Sequence, residues 1–136
     1  AKQGTDLHTG TYVQYLAAHL CAQDLIETHL SKIREVYKNR RNIMLDAMEK
    51  YFPKEGFHWT KPQGGLFLWV IMPEKIDGAK LLEKAVEMKV AYVPGNAFYP
   101  DPEEGKNTMR LNFSNMKEEF IVEGIKRLGE LLKKEV

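Results

Sequence analysis

Three short segments of the sequence contain the residue types and spacings that could support chemistry. They are residues 62–69, 94–99 and 108–113. In the first, two adjacent glycines precede an apolar strand, and their missing side chains would let another backbone or a ligand approach closely. The second places two aromatic residues in a loop, and the third holds Arg110 on the polar face of an alternating strand. Each pattern taken alone also fits an ordinary structural role, as a bulge, a tight turn or a solvated arginine.

Motifs for other kinds of site are missing from the sequence. It contains neither a glycine-rich nucleotide-binding motif nor a P-loop, and its four histidines are scattered without the spacing of a metal site. No serine lies in a nucleophile-elbow motif. The single cysteine, Cys21, stands among apolar and alanine positions, which favours an inert, packed thiol. We therefore expect no catalytic residue and no metal ligand in this sequence.

The composition is typical of one compact globular domain. Of the 136 residues, 43% are hydrophobic and 29% are charged, which is enough apolar side chain to form a core. The formal net charge of +1 provides no overall field to attract nucleic acid or an anionic membrane. The longest apolar run, residues 66–72, is far shorter than the roughly 20 residues that span a bilayer. A single cysteine fits a reducing compartment, so the sequence predicts a cytoplasmic protein.

Two helices are predicted before any strand. The first follows from apolar residues at helical spacing between Tyr12 and Leu20. The second has an apolar stripe over residues 25–51, interrupted at Arg40, and would be about 40 Å long. A helix of that length in so small a chain usually bridges two bodies or carries a dimer contact. Its charged side chains, among them Arg41, are interpreted as solvated surface, because no aromatic residues alternate with them as they would in a nucleic-acid site.

The remaining sequence alternates strands with helices. The predicted strands are residues 57–60, 66–71, 90–93 and 108–113. The second of these is apolar on both faces, which predicts a central, covered strand. Asp77 is expected to cap a helix, and Asn115 with Glu118 imitates a capping box before the last helix. The predicted fold class is α/β, in the form of a small α+β domain: a long helix followed by a small sheet with helices packed on it.

In this order the three segments resemble the C-terminal, small domain of pyridoxal-phosphate-dependent aminotransferases of fold type I, class I and II. The similar features are a long helix, a P-x-G-G-x-F-x-W strand, a V-x-x-x-P-G-x-x-F segment and an arginine in an L-R-L-x-F-like strand. The resemblance covers almost the whole chain and implies a mostly antiparallel sheet. It is greatest for the branch of kynurenine and 2-aminoadipate aminotransferases, through Leu7-His8 and segment 94–99.

The resemblance implies a role for five residues. Arg110 would bind the α-carboxylate of the substrate, a role for which the planar guanidinium is well suited because it donates two parallel hydrogen bonds. An amino acid and a 2-oxo acid both present that carboxylate, so one arginine serves both halves of a transamination. Phe67 would lie near the substrate side chain and Leu7 at the mouth of the pocket. Phe98 and Tyr99 would shape the same wall.

The resemblance also implies what lies outside this sequence. In the family, the lysine that binds pyridoxal 5'-phosphate and the residues that hold its ring and phosphate lie upstream of the position matching Ala1, in a large domain. We therefore expect no cofactor-binding residue here and no activity of this chain alone. The implied organisation is a linker or large-domain helix at 1–22, a connecting helix at 23–52 and the small domain at 53–136, within a homodimeric transferase.

Two alternatives remain open on the sequence. The same domain occurs in transcription regulators that resemble aminotransferases and in some carbon–sulfur lyases. Arg110 could also bind an acidic ligand in a module that has no catalytic activity.

Overall fold

The computed structural model describes all 136 residues, which divide into two compact units, Ala1–Val36 and Tyr37–Val136. The helices are α1 (Lys2–Thr5), α2 (Thr11–Ala22), α3 (Leu25–Tyr51), α4 (Gly78–Glu87) and α5 (Glu118–Glu135). The strands are β1 (His58–Trp59), β2 (Phe67–Ile71), β3 (Val93–Pro94) and β4 (Thr108–Asn112), and a 3-10 helix, Gly95–Phe98, follows β3. None of the helices combines the length and the apolar character that crossing a membrane requires.

The first unit consists of α1, α2 and the first part of α3. Helix α2 begins after Gly10 without a side-chain cap, and none of its residues is buried. Its apolar side chains, such as Leu16 and Leu20, are therefore exposed, and so is Cys21. The prediction of a packed thiol is wrong, because an apolar neighbourhood along the sequence does not bury a side chain unless another element covers the helix.

Helix α3 is continuous over 27 residues, as the sequence predicts, and runs from the first unit into the second. In the second unit its inward face buries Met44 and Met48. Arg40, which interrupts the apolar stripe, donates a hydrogen bond to the backbone oxygen of Ser114. The interpretation of Arg41 as solvated surface is wrong, because it is half-buried and its Nη1 donates to the Pro62 carbonyl at 3.0 Å.

The four strands form one sheet in the order β1-β2-β4-β3, and every neighbouring pair is antiparallel. The two edge strands have only two residues each, which limits pairing with other chains. The predicted strand at 90–93 begins later, at Val93, because the backbone N–H of Val90 donates to Ala85 and so belongs to the end of α4.

The core lies on one face of this sheet. Alternate residues of the two central strands, Leu68, Val70, Met109 and Leu111, are buried in one cluster with apolar residues of α3, α4 and α5. The opposite face of β2 is not covered, and Phe67 is 38% exposed. The prediction of a strand covered on both faces is therefore wrong, because an apolar run does not distinguish a buried face from an open apolar one.

One predicted helix cap forms and the other does not. The Asp77 carboxylate accepts hydrogen bonds from the backbone N–H groups of Ala79 and Lys80 and so starts α4. At α5 the N-cap is Lys117, without a side-chain hydrogen bond, so the predicted capping box is wrong. Glu118 instead accepts a hydrogen bond from the side chain of Asn39 on α3 at 2.5 Å.

Candidate functional site

Arg110 occupies the middle of the central strand β4. Its Cα pairs with that of Trp69 on β2 and, on the other side, with that of Val93 on β3. Its sequence neighbours Met109 and Leu111 point into the core, so the alternation of a strand places the Arg110 side chain on the open face of the sheet. The backbone that carries this arginine is thus fixed by two hydrogen-bonded neighbours and by the core beneath it.

Two phenylalanine rings flank the guanidinium of Arg110. Its Cζ lies 4.0 Å from the ring centroid of Phe67 and 4.6 Å from that of Phe98. Both distances are within the range in which a ring face attracts a cation. Phe67 comes from β2, two residues before Trp69 on the same face, whereas Phe98 ends the 3-10 helix after β3. Segments that are 31 residues apart in the sequence therefore meet on one arginine.

Two further aromatic residues, Trp69 and Tyr99, extend this cluster. The ring of Trp69 packs edge-on against Phe98, with centroids 5.5 Å apart, and lies 6.5 Å from the tilted ring of Tyr99. Tyr99 thus reaches the site through Trp69. Sequence reasoning did not name Trp69 as a site residue. The period of two along β2, which puts Trp69 on the same face as Phe67, is the signal that would have found it.

The guanidinium of Arg110 has no hydrogen-bond or ion-pair partner within the chain. The other three arginines of the second unit all donate to acceptors: Arg40 to Ser114, Arg41 to Pro62 and Asn42, and Arg127 to Glu123. A guanidinium carries five N–H donors in one plane, and phenylalanine rings offer them no competing acceptor. The N–H donors of Arg110 are therefore available to an anion, and a carboxylate is the group that matches their geometry best.

Glycines shape the two segments that carry the phenylalanines. Gly65 has φ of +78°, a conformation that favours glycine, in the turn that leads into β2. Gly95 starts the 3-10 helix that carries Phe98 and lies directly against β4. Apart from its two sequence neighbours, no residue of this chain lies within 4 Å of a Cβ built on Gly64. The close approach of another backbone segment that the two glycines predict is therefore not made within this chain.

The five residues predicted from the sequence do not all lie in the same unit. Phe67, Phe98, Tyr99 and Arg110 belong to the second unit and form one continuous cluster with Trp69. Leu7 belongs to the first unit, where it is 63% exposed and adopts a positive φ of 66°.

A concave surface of the second unit lies apart from this cluster. An apolar groove of about 400 Å³ is lined by residues that include Leu111, Met116, Phe120 and Ile121, but not Arg110. Phe67 and Phe98 are 38% and 45% exposed, so the site around Arg110 is open to solvent. An open surface of this kind can bind one end of a ligand but cannot by itself exclude water from a reaction.

The lysines of the chain do not fit a covalent pyridoxal phosphate site. All of them are exposed except Lys106, which is half-buried. Lys106 donates to Glu103 at 2.6 Å, and this hydrogen bond raises the pKa of its ammonium group, which opposes the neutral amine that a Schiff base needs. No group of three or more His, Cys, Asp and Glu side chains is placed to hold a metal ion.

Comparison with known proteins matches residues 7–128 to the family described as aminotransferase class I and II. An uncharacterized aminotransferase of Saccharolobus solfataricus is 52% identical over 135 residues, which is 99% of this chain and 33% of that protein. Aromatic-amino-acid aminotransferase 1 of Thermococcus litoralis is 50% identical over 136 residues, which is 100% of this chain and 32% of that protein. The crystal structure of a kynurenine aminotransferase of Pyrococcus horikoshii matches with a TM-score of 0.90 and 50% identity, over 99% of this chain and 33% of that one.

The chain therefore belongs to the class I and II aminotransferase family. The family resemblance seen in the sequence is confirmed, as is a small α/β fold with an antiparallel sheet that matches aminotransferases. The chain spans about one third of the length of the curated relatives it matches. The matched range contains all five of the residues to which the sequence resemblance gives a role.

Proposed function

We propose that this chain forms the carboxylate-binding, C-terminal part of an aminotransferase that transfers an amino group between an amino acid and a 2-oxo acid. Its membership of the family and its 50% identity to a named aminotransferase support the reaction class. The single observation that carries the proposed role is the guanidinium of Arg110, which lies on the open face of the sheet with no acceptor in the chain.

The chemistry of Arg110 suits both substrates of such a reaction. A carboxylate accepts two parallel N–H bonds from the in-plane edge of a guanidinium, and each charge-assisted bond is stronger than a bond between neutral groups. The amino acid and the 2-oxo acid differ at the α-carbon but share the α-carboxylate. The same contact therefore holds either substrate in one orientation, which brings the α-carbon to the same place in both halves of the reaction.

The aromatic side chains around Arg110 support a proposal about the substrate side chain. Phe67, Phe98 and Tyr99 are all between 37% and 45% exposed, so they offer ring surface to a ligand. We propose that they contact an aromatic or long aliphatic side chain, with Leu7 at the mouth of the pocket. The relative from Thermococcus litoralis is named for aromatic amino acids, which agrees with this class.

The remaining parts of the enzyme are also proposals. Pyridoxal phosphate, the cofactor of this family, would be held by a large domain outside this chain and would supply the electron sink that stabilises a carbanion at the α-carbon. Residues 53–136 would be the small domain, 23–52 the connecting helix and 1–22 a linker or large-domain helix. A cytoplasmic homodimer would complete the site.

The proposal is tested on the holoenzyme that contains this chain, by comparing phenylalanine with phenethylamine, the amine that lacks the α-carboxylate. Arg110→Ala should lower kcat/KM for phenylalanine and for its 2-oxo acid about ten- to a few-hundred-fold, since each hydrogen bond to a charged group contributes about 1.5–3 kcal/mol. Arg110→Lys should recover only part of this loss, because an ammonium group does not reproduce the planar fork. Cofactor content should stay normal.

Phenethylamine is the control in this experiment. Its kcat/KM should change little in Arg110→Ala, and an equal loss for both substrates would show that Arg110 has a structural role. The same assay separates the open alternatives. A carbon–sulfur lyase would release its product without forming an amino acid from a 2-oxo acid, and a regulator or a binding module would show no turnover with either substrate.

A further inference from the structure

We propose that the rings of Phe67 and Phe98 orient the guanidinium of Arg110, so that both phenylalanines act as positioning residues for the substrate carboxylate. The inference rests on the proposed carboxylate-binding role of Arg110. It assigns to the two rings a second function beside the proposed contact with the substrate side chain, and the two functions make different experimental predictions.

A long arginine side chain on an open surface needs something to fix its orientation, because it otherwise samples many rotamers. Most arginines of this unit are fixed by hydrogen bonds. Arg127, for example, donates from Nε to the Glu123 carboxylate at 2.8 Å. An anchor of that kind uses N–H groups that a ligand would need, and a carboxylate partner also offsets the positive charge. Both effects weaken the binding of a second carboxylate.

An aromatic ring face can hold an arginine without using its N–H donors and without offsetting its positive charge. The Arg110 Cζ lies 4.0 Å and 4.6 Å from the centroids of Phe67 and Phe98, where the ring quadrupole attracts the cation. A phenyl ring has no oxygen or nitrogen acceptor and no charge. The rings can therefore restrict the guanidinium while its N–H donors and its charge remain available to a ligand.

The rings are themselves held in place by the sheet that carries the arginine. Phe67 is fixed by β2, and Phe98 packs edge-on against Trp69, the residue directly opposite Arg110 in the β2–β4 register. The 3-10 helix that carries Phe98 begins at Gly95, which lies against Thr108 of β4. Arg110, Phe67 and Trp69 thus lie on two paired strands, and the 3-10 helix that carries Phe98 packs on the same sheet.

The test is a double-mutant cycle on the holoenzyme with Phe98→Leu and Arg110→Ala. Leucine keeps an apolar side chain but removes the ring face, whereas Phe98→Tyr keeps the ring face and is the matched control. Phe98→Leu should lower kcat/KM for phenylalanine roughly three- to tenfold, mostly through KM, whereas Phe98→Tyr, which keeps the ring face, should lose clearly less than Phe98→Leu. In the Arg110→Ala background, Phe98→Leu should cost clearly less than in the wild type, because the group that it orients is gone and only its contact with the substrate side chain remains.

A second readout does not depend on activity. In NMR spectra of the 136-residue chain, the Nε–H proton of Arg110 should be displaced by the ring currents of its two aromatic neighbours. Phe98→Leu should move this resonance toward that of the exposed Arg34, and Phe98→Tyr should not.

The outcomes distinguish this inference from the proposed function. If Phe98→Leu lowers kcat/KM by the same factor in the Arg110→Ala background as in the wild type, or by the same factor with phenethylamine as with phenylalanine, then Phe98 acts only through contact with the substrate and the positioning role is wrong. An unchanged Nε–H resonance in Phe98→Leu would also overturn it. If instead Arg110→Ala affects phenylalanine and phenethylamine equally, the proposed function fails, and the positioning role fails with it even where the NMR displacement is observed.

Discussion

Gly95 and Thr108 pack so closely that no side chain fits between them. A Cβ built on Gly95 would lie 1.7 Å from Oγ1 of Thr108 and 2.8 Å from its Cβ. Thr108 is buried and its hydroxyl donates to the Gly105 carbonyl at 2.6 Å, so it has little freedom to move away. This contact seats the 3-10 helix on β4 and so determines where Phe98 meets Arg110.

Gly95→Ala should therefore reduce both stability and substrate binding. Overpacking of a close contact typically costs about 1–3 kcal/mol, and the 3-10 helix should move outward and take Phe98 with it. Urea denaturation measures the loss of stability, and kcat/KM of the holoenzyme for phenylalanine measures the loss of substrate binding.

Gly64→Ala is the matched control, because nothing lies within 4 Å of its Cβ position. Its stability should stay within about 0.5 kcal/mol of the wild type. Equal stability of the two variants would contradict the packing argument.

Because the Tyr92 side chain is buried, we expect the protein to lose stability at alkaline pH. Burial raises the pKa of the Tyr92 phenol above the ordinary value of 10.0, and the negative charge of Asp77 adds to the effect. Its hydroxyl donates to the Gly78 carbonyl at 2.7 Å. Tyr92 ionises at a lower pH in the unfolded chain than in the folded one. Its contribution to stability is therefore fully present below pH 10 and is lost as the pH rises above 10.

Tyr92→Phe tests this prediction. The variant should be less stable by about 1 kcal/mol near pH 8, since it removes the hydrogen bond from the Tyr92 hydroxyl to the Gly78 carbonyl. The difference from the wild type should narrow between pH 9.5 and 11, roughly the range in which the unfolded tyrosine ionises. Urea denaturation across this range gives the measurement, and Tyr99→Phe, at a partly exposed side chain, is the control. A constant difference at all pH values would show that the Tyr92 pKa does not affect folding.

The 136-residue chain should form no stable covalent adduct with pyridoxal phosphate. Its lysines are exposed or, in the case of Lys106, paired with Glu103, and none lies in an enclosed site. An absorbance spectrum recorded after mixing and desalting should therefore show no retained visible band. A band that persists and disappears on substitution of one particular lysine would mean that the chain contains its own cofactor site.

The exposed apolar side chains of helix α2 lead us to expect that the chain self-associates. Helix α2 contains no Asp, Glu, Lys or Arg, and large apolar side chains such as Tyr12, Leu16 and Leu20 are 79%, 45% and 39% exposed. An apolar surface of this kind is rarely left open to water by a stable monomer. Sedimentation velocity should show species larger than a monomer at high concentration. The change Leu16→Lys together with Leu20→Lys should shift the distribution toward the monomer, and a strict monomer in the unmodified chain would contradict the prediction.

Local interactions made part of this fold predictable from the sequence. Asp77 caps α4 through backbone N–H groups two and three residues away, and such contacts need no information from the rest of the chain. The capping box predicted from Asn115 and Glu118 does not form at α5, where Glu118 instead accepts a hydrogen bond from Asn39, 79 residues away. A contact between distant segments competed with the local cap, and a sequence pattern does not show such competition.

The candidate site was only partly predictable for a related reason. The family motif pointed to Arg110, Phe67 and Phe98, but the contact of both rings with one guanidinium depends on the register of β2 against β4 and on the seating of the 3-10 helix. Trp69 was overlooked because an apolar residue in an apolar strand is usually assigned to the core. Its role follows only when one face of that strand is known to be open.

The alternation along β2 and β4 has a consequence for how this family can diversify. Leu68, Val70, Met109 and Leu111 hold the fold together, whereas Phe67, Trp69 and Arg110 face outward from the same two strands. Substitutions on the outward face can alter the candidate binding surface without changing a core residue. The two strands can therefore present different side chains to a ligand while the buried residues that stabilise the sheet stay the same.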